Sequence, residues 1–74
     1  VDVGVCEIIH ESILELKRQG AAILLITADF DELFRLSDRI GVMYEGHMVT
    51  ENIAGTFTPT KLGFYMGGGK ENED

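Results

Sequence analysis

Residues 22–27 read AILLIT, and the fold prediction depends on this stretch. The run is continuously apolar up to its final threonine, and a helical pattern lies on each side of it. A strand that is buried on both faces of a parallel sheet has this composition, because neither face meets water. We therefore predict a strand from Ala22 to Thr27 and an α/β fold built around it.

The two flanking helices are predicted from apolar periodicity and from their ends. The first runs from Val5 to Arg18, where apolar residues recur at helical spacing, and Gly20 stops it. The second runs from Phe30 to Leu36, with Asp29 as its N-cap and Glu32 three residues later. The predicted strand therefore lies between two helices.

Beyond the second helix the apolar period changes to two, which is typical of strands. Ile40–Tyr44 and His47–Ile53 are predicted to form a β-hairpin, with Gly46 in the turn because glycine tolerates positive φ. A last helix is predicted from Pro59 to Met66, with proline at its first position. The complete order is helix, strand, helix, β-hairpin, helix.

The size and composition limit what the chain can be. Its 74 residues make at most one small domain, and a chain of this length buries only about 60% of the surface that it exposes when unfolded. Cys6 is the only cysteine, which excludes an intrachain disulfide and fits a reducing compartment. The net charge of −7 argues against a nucleic-acid partner. The longest apolar stretch, Ala21–Ile26, is too short to span a bilayer, so we expect the segment itself to be soluble.

Cys6 and His10 are the first candidates for chemistry. They lie four residues apart on the predicted first helix, and a thiolate–imidazole pair is the start of a nucleophile or a metal site. The only other histidine, His47, lies in the hairpin, so no metal site is predicted. A buried structural cysteine beside a surface histidine is the favoured interpretation.

Three other features have an ordinary structural interpretation and a functional alternative. The carboxylates of Asp29, Asp31 and Glu32 crowd one helix start, where capping and dipole compensation are favoured over acid–base catalysis or a cation site. Asp38-Arg39 lies at a helix–strand junction, where a local turn role is favoured over substrate contact. The glycines at 67–69 precede a lysine but follow a helix, so a linker is favoured over a phosphate loop.

Several strings of the sequence resemble the ATPases of ATP-binding-cassette (ABC) transporters. The matching strings are VDVG at 1–4, similar to the end of the D-loop, the lead into the switch-loop strand at 20–26, DEL at 31–33, LSDRI at 36–40, VM at 42–43, EG at 45–46 and LGFYMGG at 62–68. The last of these resembles the branch that imports simple sugars and nucleosides. The resemblance covers residues 1–69.

This resemblance implies a C-terminal part of a P-loop NTPase domain, from the second of two cassettes in one chain. The phosphate-loop strand and the Walker B strand would lie upstream, and the acidic residues 70–74 would form a disordered tail. The sequence also begins without methionine, so we expect a piece of a longer protein. The full-length parent would be an ATPase that uses ATP and Mg²⁺ to drive import. The isolated segment is expected to bind no cofactor and to catalyse nothing, because it has no complete set of catalytic residues.

The resemblance also assigns two site positions and a set of partners. Ala28 occupies the position of the switch-loop histidine, which implies a degenerate ATP site, and Asp2 corresponds to the D-loop aspartate. The implied partners are the rest of the cassette, the first cassette of the same chain and the transmembrane permease subunits, at the cytoplasmic face of the membrane. In the isolated segment, Ala22–Thr27 is expected either to pair with the same strand of a second copy or to be loosened, because the strands that flank it in the family's sheet would lie upstream.

Two other functions stay open from the sequence. One is a complete, stand-alone acidic α/β module that docks a protein through its hairpin and last helix and binds no nucleotide. The other is a stand-alone enzyme that depends on Cys6 and His10.

Overall fold

The computed structural model describes the backbone of residues 3–69 and the side chains of residues 7–69. The chain divides into two compact units, Val1–Leu36 and Ser37–Asp74. The described residues form three α-helices and one two-stranded antiparallel sheet, so the molecule is a small α/β protein. The expected tail at 70–74 lies outside the described residues.

The first unit contains two helices, α1 (Val3–Arg18) and α2 (Phe30–Leu36), which are in contact. Both predicted helices are confirmed, and the start of α1 lies two residues earlier than predicted. Gly20 has a φ of +93° and ends α1. Its N–H donates to the Lys17 carbonyl, and the Ala21 N–H donates to the Leu16 carbonyl. This is a Schellman motif, in which the left-handed residue satisfies carbonyls that the helix leaves free.

The predicted strand Ala22–Thr27 is wrong. Residues 21–27 have no regular secondary structure, and Leu24 and Ile26 are both 88% exposed. A strand exists only through hydrogen bonds to a neighbour, and the only strands among residues 3–69 pair with each other in the hairpin. The apolar run therefore has the composition of a buried strand and no partner within this part of the chain.

The second unit is built on the predicted hairpin, β1 (Arg39–Tyr44) and β2 (His47–Ile53). Ile40 pairs with Asn52 and Val42 with Thr50, and then the register shifts because β2 carries one extra residue, Val49, between Met48 and Thr50. The positive φ angles at Glu45 (47°) and Gly46 (83°) make the connection a two-residue type I′ turn. The hairpin is confirmed at the predicted bounds to within one residue.

A short 3-10 turn, Ala54–Thr56, leads into the last helix, α3 (Pro59–Met66), which packs on β1. Thr58 caps α3 by accepting from the Lys61 N–H at 3.2 Å, and proline takes the first position as predicted. The core of this unit consists of apolar side chains from the strand, the turn and the helix, namely Ile40, Val42, Phe57 and Leu62, each at most 7% exposed. This small core holds the hairpin to α3.

Candidate functional site

The segment that leads into α2 is organised by local hydrogen bonds. Asp29 caps α2, since its Oδ1 accepts from the Glu32 N–H at 3.2 Å and its carbonyl accepts from Leu33. The Asp29 N–H in turn donates to the Thr27 Oγ1 at 3.0 Å. Ala28 lies in a bend between these two residues, and its side chain is exposed. The backbone on both sides of Ala28 is therefore held by Thr27 and Asp29.

Glu32 does not complete the cap of its own helix. A glutamate at this third position commonly reaches back to the N–H of the capping residue, but here Thr27 already accepts from that N–H. The Glu32 Oε2 instead lies 2.9 Å from the Nε2 of His10, on the facing helix α1. Hydrogen bonds from His10 first, and then from Thr27, lower the pKa of Glu32 below its usual value of 4.5. Glu32 thus connects α1 to the segment around Ala28.

His10 is mostly buried, with 12% of its side chain exposed, so its interpretation as a surface histidine is wrong. Because an ionised Glu32 only accepts hydrogen bonds, the Nε2 of His10 carries the proton. The other ring nitrogen, Nδ1, is buried and has no hydrogen-bond partner among the described residues. The sequence predicted neither this pairing nor this burial, because the two residues lie 22 positions apart.

Two further contacts join α1 and α2. Arg35 donates to both carboxylate oxygens of Glu7, at 2.8 and 3.1 Å, which lowers the pKa of Glu7 and raises that of Arg35. Both side chains of this pair are about half exposed. The Lys17 ammonium donates to the carbonyl of Leu36 at 3.3 Å. The His10–Glu32 contact is better shielded from water than the Glu7–Arg35 pair.

Two sequence-predicted candidates, Asp2 and Cys6, are not located in this site by the structure. Asp2 lies outside the described residues, and so does the side chain of Cys6, so the pairing of Cys6 with His10 stays untested. The capping role favoured for Asp29 is present in the structure. Sequence analysis missed His10 as the partner of Glu32 and Thr27 as the partner of Asp29.

The other two candidate features have structural roles in the second unit. Arg39 pairs with Glu51 on the exposed face of the hairpin, and the Asp38 carbonyl accepts from the Ala54 N–H at 2.8 Å. The glycines at 67–69 end α3 in a second Schellman motif, with Gly68 at a φ of +95°. A helix C-terminus repels anions, which argues against a phosphate loop there.

Neither a metal cluster nor a membrane span is found in the part of the chain that the structure describes. No group of three or more His, Cys, Asp or Glu side chains within it is arranged to hold a metal ion. No helix within the same residues is long and apolar enough to cross a membrane.

The sequence of the chain is similar to those of ATP-binding proteins of import systems. It is 42% identical over 69 residues to the glucose import ATP-binding protein TsgD13 of Haloferax volcanii, covering 93% of this chain and 12% of that protein. It is 34% identical over 73 residues to the guanosine import ATP-binding protein NupO of Bacillus subtilis, covering 99% of this chain and 14% of that protein. It is 36% identical over 73 residues to the ribose import ATP-binding protein RbsA of Oceanobacillus iheyensis, covering 99% of this chain and 15% of that protein. This chain belongs to the ATP-binding subunits of the sugar and nucleoside ABC importers.

This importer ATPase segment matches its relatives over nearly all of its own length but spans only about 12–15% of theirs. No protein-family model matches the chain. No solved structure matches it either. Membership of the ABC ATPases implies that the segment is part of a P-loop NTPase domain, and this agrees with its small α/β fold.

Proposed function

We propose that this segment is the C-terminal part of the second cassette of an importer ATPase. The ATP site that Ala28 completes is incompetent for hydrolysis, because it lacks the switch-loop histidine and at least one further catalytic part. The full-length subunit hydrolyses ATP with Mg²⁺ at its other site and drives import of a simple sugar or a nucleoside. It does so while bound to permease subunits at the cytoplasmic face of the membrane. Support comes from the relatives, which are import ATP-binding proteins for glucose, guanosine and ribose.

The observation that carries this proposal is the chemistry available at residues 27–29. The resemblance to the family puts Ala28 at the position of the switch-loop histidine, and its methyl group neither donates a hydrogen bond nor carries charge. Neither neighbour is free to replace the missing imidazole. Thr27 Oγ1 accepts from the Asp29 N–H, and Asp29 Oδ1 caps α2. The segment therefore offers a γ-phosphate no side-chain donor at this position.

Asp2 has the complementary role in this proposal. As the D-loop aspartate it belongs to the interface between the two cassettes and faces the opposite site, which is the one that hydrolyses ATP. The same arrangement assigns the phosphate loop and the catalytic glutamate to other parts of the subunit, because phosphoryl transfer needs a phosphate-binding loop with its lysine, and no string in residues 1–74 matches one.

The test is Ala28→His in the full-length subunit. Ala28→Leu is the matched control, because leucine enlarges the side chain without adding a hydrogen-bond donor. A degenerate site lacks more than one catalytic part, and a single donor accelerates a reaction only where its partners are already in place. We expect Ala28→His to leave the steady-state ATPase rate close to that of the control. A rise of about 100-fold, the scale of one restored transition-state donor, would contradict the proposal.

A further inference from the structure

We propose that His10 and Glu32 form a latch, named here the His10–Glu32 latch, which fixes residues 27–29 against α1 and sets how long nucleotide stays at the site that Ala28 completes. The part of this inference that concerns nucleotide rests on the proposed function. The part that concerns the latch rests on the geometry of the first unit alone.

The Glu32 side chain bonds to the facing helix and not to the cap of its own helix. Its position in α2 is the one from which a glutamate closes a capping box, and the group that it would accept from is the Asp29 N–H. Thr27 occupies that N–H at 3.0 Å, while Glu32 Oε2 meets His10 Nε2 at 2.9 Å. The carboxylate therefore holds α2 to α1 and contributes no bond to the backbone of its own cap.

The hydrogen bonds form a continuous chain from α1 to the residues on either side of Ala28. The Glu32 carboxylate meets His10 Nε2 at 2.9 Å, and the Glu32 N–H donates to the Asp29 Oδ1 at 3.2 Å. Thr27 in turn holds Asp29 across the bend that contains Ala28. Contacts that run from α1 to both neighbours of Ala28 limit how far the bend can move.

The two ring nitrogens of His10 differ in their contacts. Nε2 donates to the ionised Glu32, while Nδ1 is buried and has no hydrogen-bond partner among the described residues. Only one nitrogen of the ring makes a bond in the latch. A glutamine, whose amide also donates, replaces that bond without adding a second buried ring nitrogen.

Amide hydrogen exchange in the full-length subunit without nucleotide tests the latch. We expect His10→Leu to accelerate exchange in residues 27–33 by about 10- to 150-fold, the effect of losing one hydrogen bond to a charged group. His10→Gln should restore exchange to nearly the original rate. A donor-dependent rescue distinguishes the latch from simple packing, because glutamine fills the ring's volume no better than leucine does.

Two matched controls accompany these variants. His47→Leu removes the other histidine, which is exposed in the hairpin. Glu7→Gln weakens the exposed pair with Arg35, which also joins α1 to α2. Neither should change exchange in residues 27–33. The latch is overturned if His10→Leu leaves exchange unchanged, if Glu7→Gln has the same effect, or if His10→Gln fails to rescue.

The release of a fluorescent ATP analogue from the subunit, in the presence of Mg²⁺, tests the functional part. Release from the slower of the two sites should be faster in His10→Leu and unchanged in His10→Gln and His47→Leu. Faster exchange with unchanged release would overturn the nucleotide role and leave the latch as a structural contact. Failure of the proposed function is detected separately, since it would appear as the gain in ATPase rate of Ala28→His.

Discussion

Glu32 has two competing sets of partners at the start of α2, its own cap and the facing helix. Because Thr27 satisfies the N–H of Asp29, the carboxylate of Glu32 is available to His10. Each hydrogen bond that it accepts stabilises its ionised form, which is why the pKa of Glu32 lies below its usual value of 4.5. The local sequence thus leaves the Glu32 carboxylate available to bond His10, which lies 22 positions away in the sequence.

A titration of the Glu32 carboxyl group measures this effect at the residue scale. Since the folded-state pKa is lowered, the contribution of Glu32 to stability is fully present above pH 4.5 and is lost as the pH falls through the folded pKa. In the chain labelled with ¹³C-glutamate, we expect the NMR signal of Glu32 to titrate below pH 4.5. His10→Leu should move that midpoint upward, because the first cause of the lowering is gone.

The control for this titration is Glu51, whose pKa is also lowered, by hydrogen bonding from Arg39 in the other unit. His10→Leu should leave the midpoint of Glu51 unchanged. An unchanged midpoint for Glu32 in the same variant would show that His10 is not its main partner.

The turn of the β-hairpin has a backbone geometry that few residue types adopt. Glu45 and Gly46 both have positive φ, as a type I′ turn requires, and the twist of this turn matches that of the two strands. Glutamate is less favoured than asparagine at the first of these positions, so the preference of this sequence for a type I′ turn comes mainly from Gly46. The turn and the extra residue of β2 together set the register in which Ile40 pairs with Asn52 and Val42 with Thr50, and both apolar side chains are buried.

Gly46→Ala is expected to destabilise the hairpin although there is room for its side chain. No atom lies within 4 Å of the added Cβ, and the cost of about 1–2 kcal/mol comes from the left-handed backbone alone. Gly55→Ala is the matched control, because its Cβ also meets nothing within 4 Å and its φ is not positive. Urea unfolding, followed by amide exchange in residues 39–53, would measure both variants. Equal effects of the two substitutions would show that backbone strain at Gly46 is not the cause.

At the scale of the whole molecule, several large apolar side chains remain exposed. In the first unit, Leu24 and Ile26 are each 88% exposed, and in the second, Met43, Met48 and Phe64 are more than half exposed. Apolar surface of this kind marks contacts with other protein. The chain spans about 12–15% of its relatives, so we expect the rest of the subunit to cover part of this surface in the full-length protein.

A prediction for the whole molecule concerns amide exchange and self-association of the apolar run at 22–27. In a dilute sample of the chain, we expect the amides of Ile23 to Ile26 to exchange rapidly and those of the hairpin slowly, because the hairpin contacts are local and the run has no strand partner in the described residues. At higher concentration, pairing of this run between copies should add protection. Leu24→Glu should reduce the association seen by sedimentation.

Thr60→Glu, which adds the same charge on an exposed residue of α3, is the control and should leave association unchanged. Strong protection of Ile23 to Ile26 in a confirmed monomer would contradict this prediction. Self-association through the run stays a prediction until it is measured.

The sequence by itself determined the elements whose signals are local. Gly20, Pro59 and Gly46 mark a helix end, a helix start and a turn through their own backbone preferences, and each lies where it was predicted. The family was also readable, because motif strings such as LSDRI at 36–40 depend only on the order of residues. These features need no partner from elsewhere in the chain.

Only the tertiary structure decided the features that need a second segment. The run at 22–27 has the composition of a buried strand, but a strand requires a neighbour to bond, and within residues 3–69 none is supplied. The contact between His10 and Glu32 joins two helices through residues that are 22 positions apart in the sequence, and no local sequence pattern predicts it. Composition sets which conformations a segment favours, but a hydrogen bond between distant segments forms only where the fold brings its donor and its acceptor together.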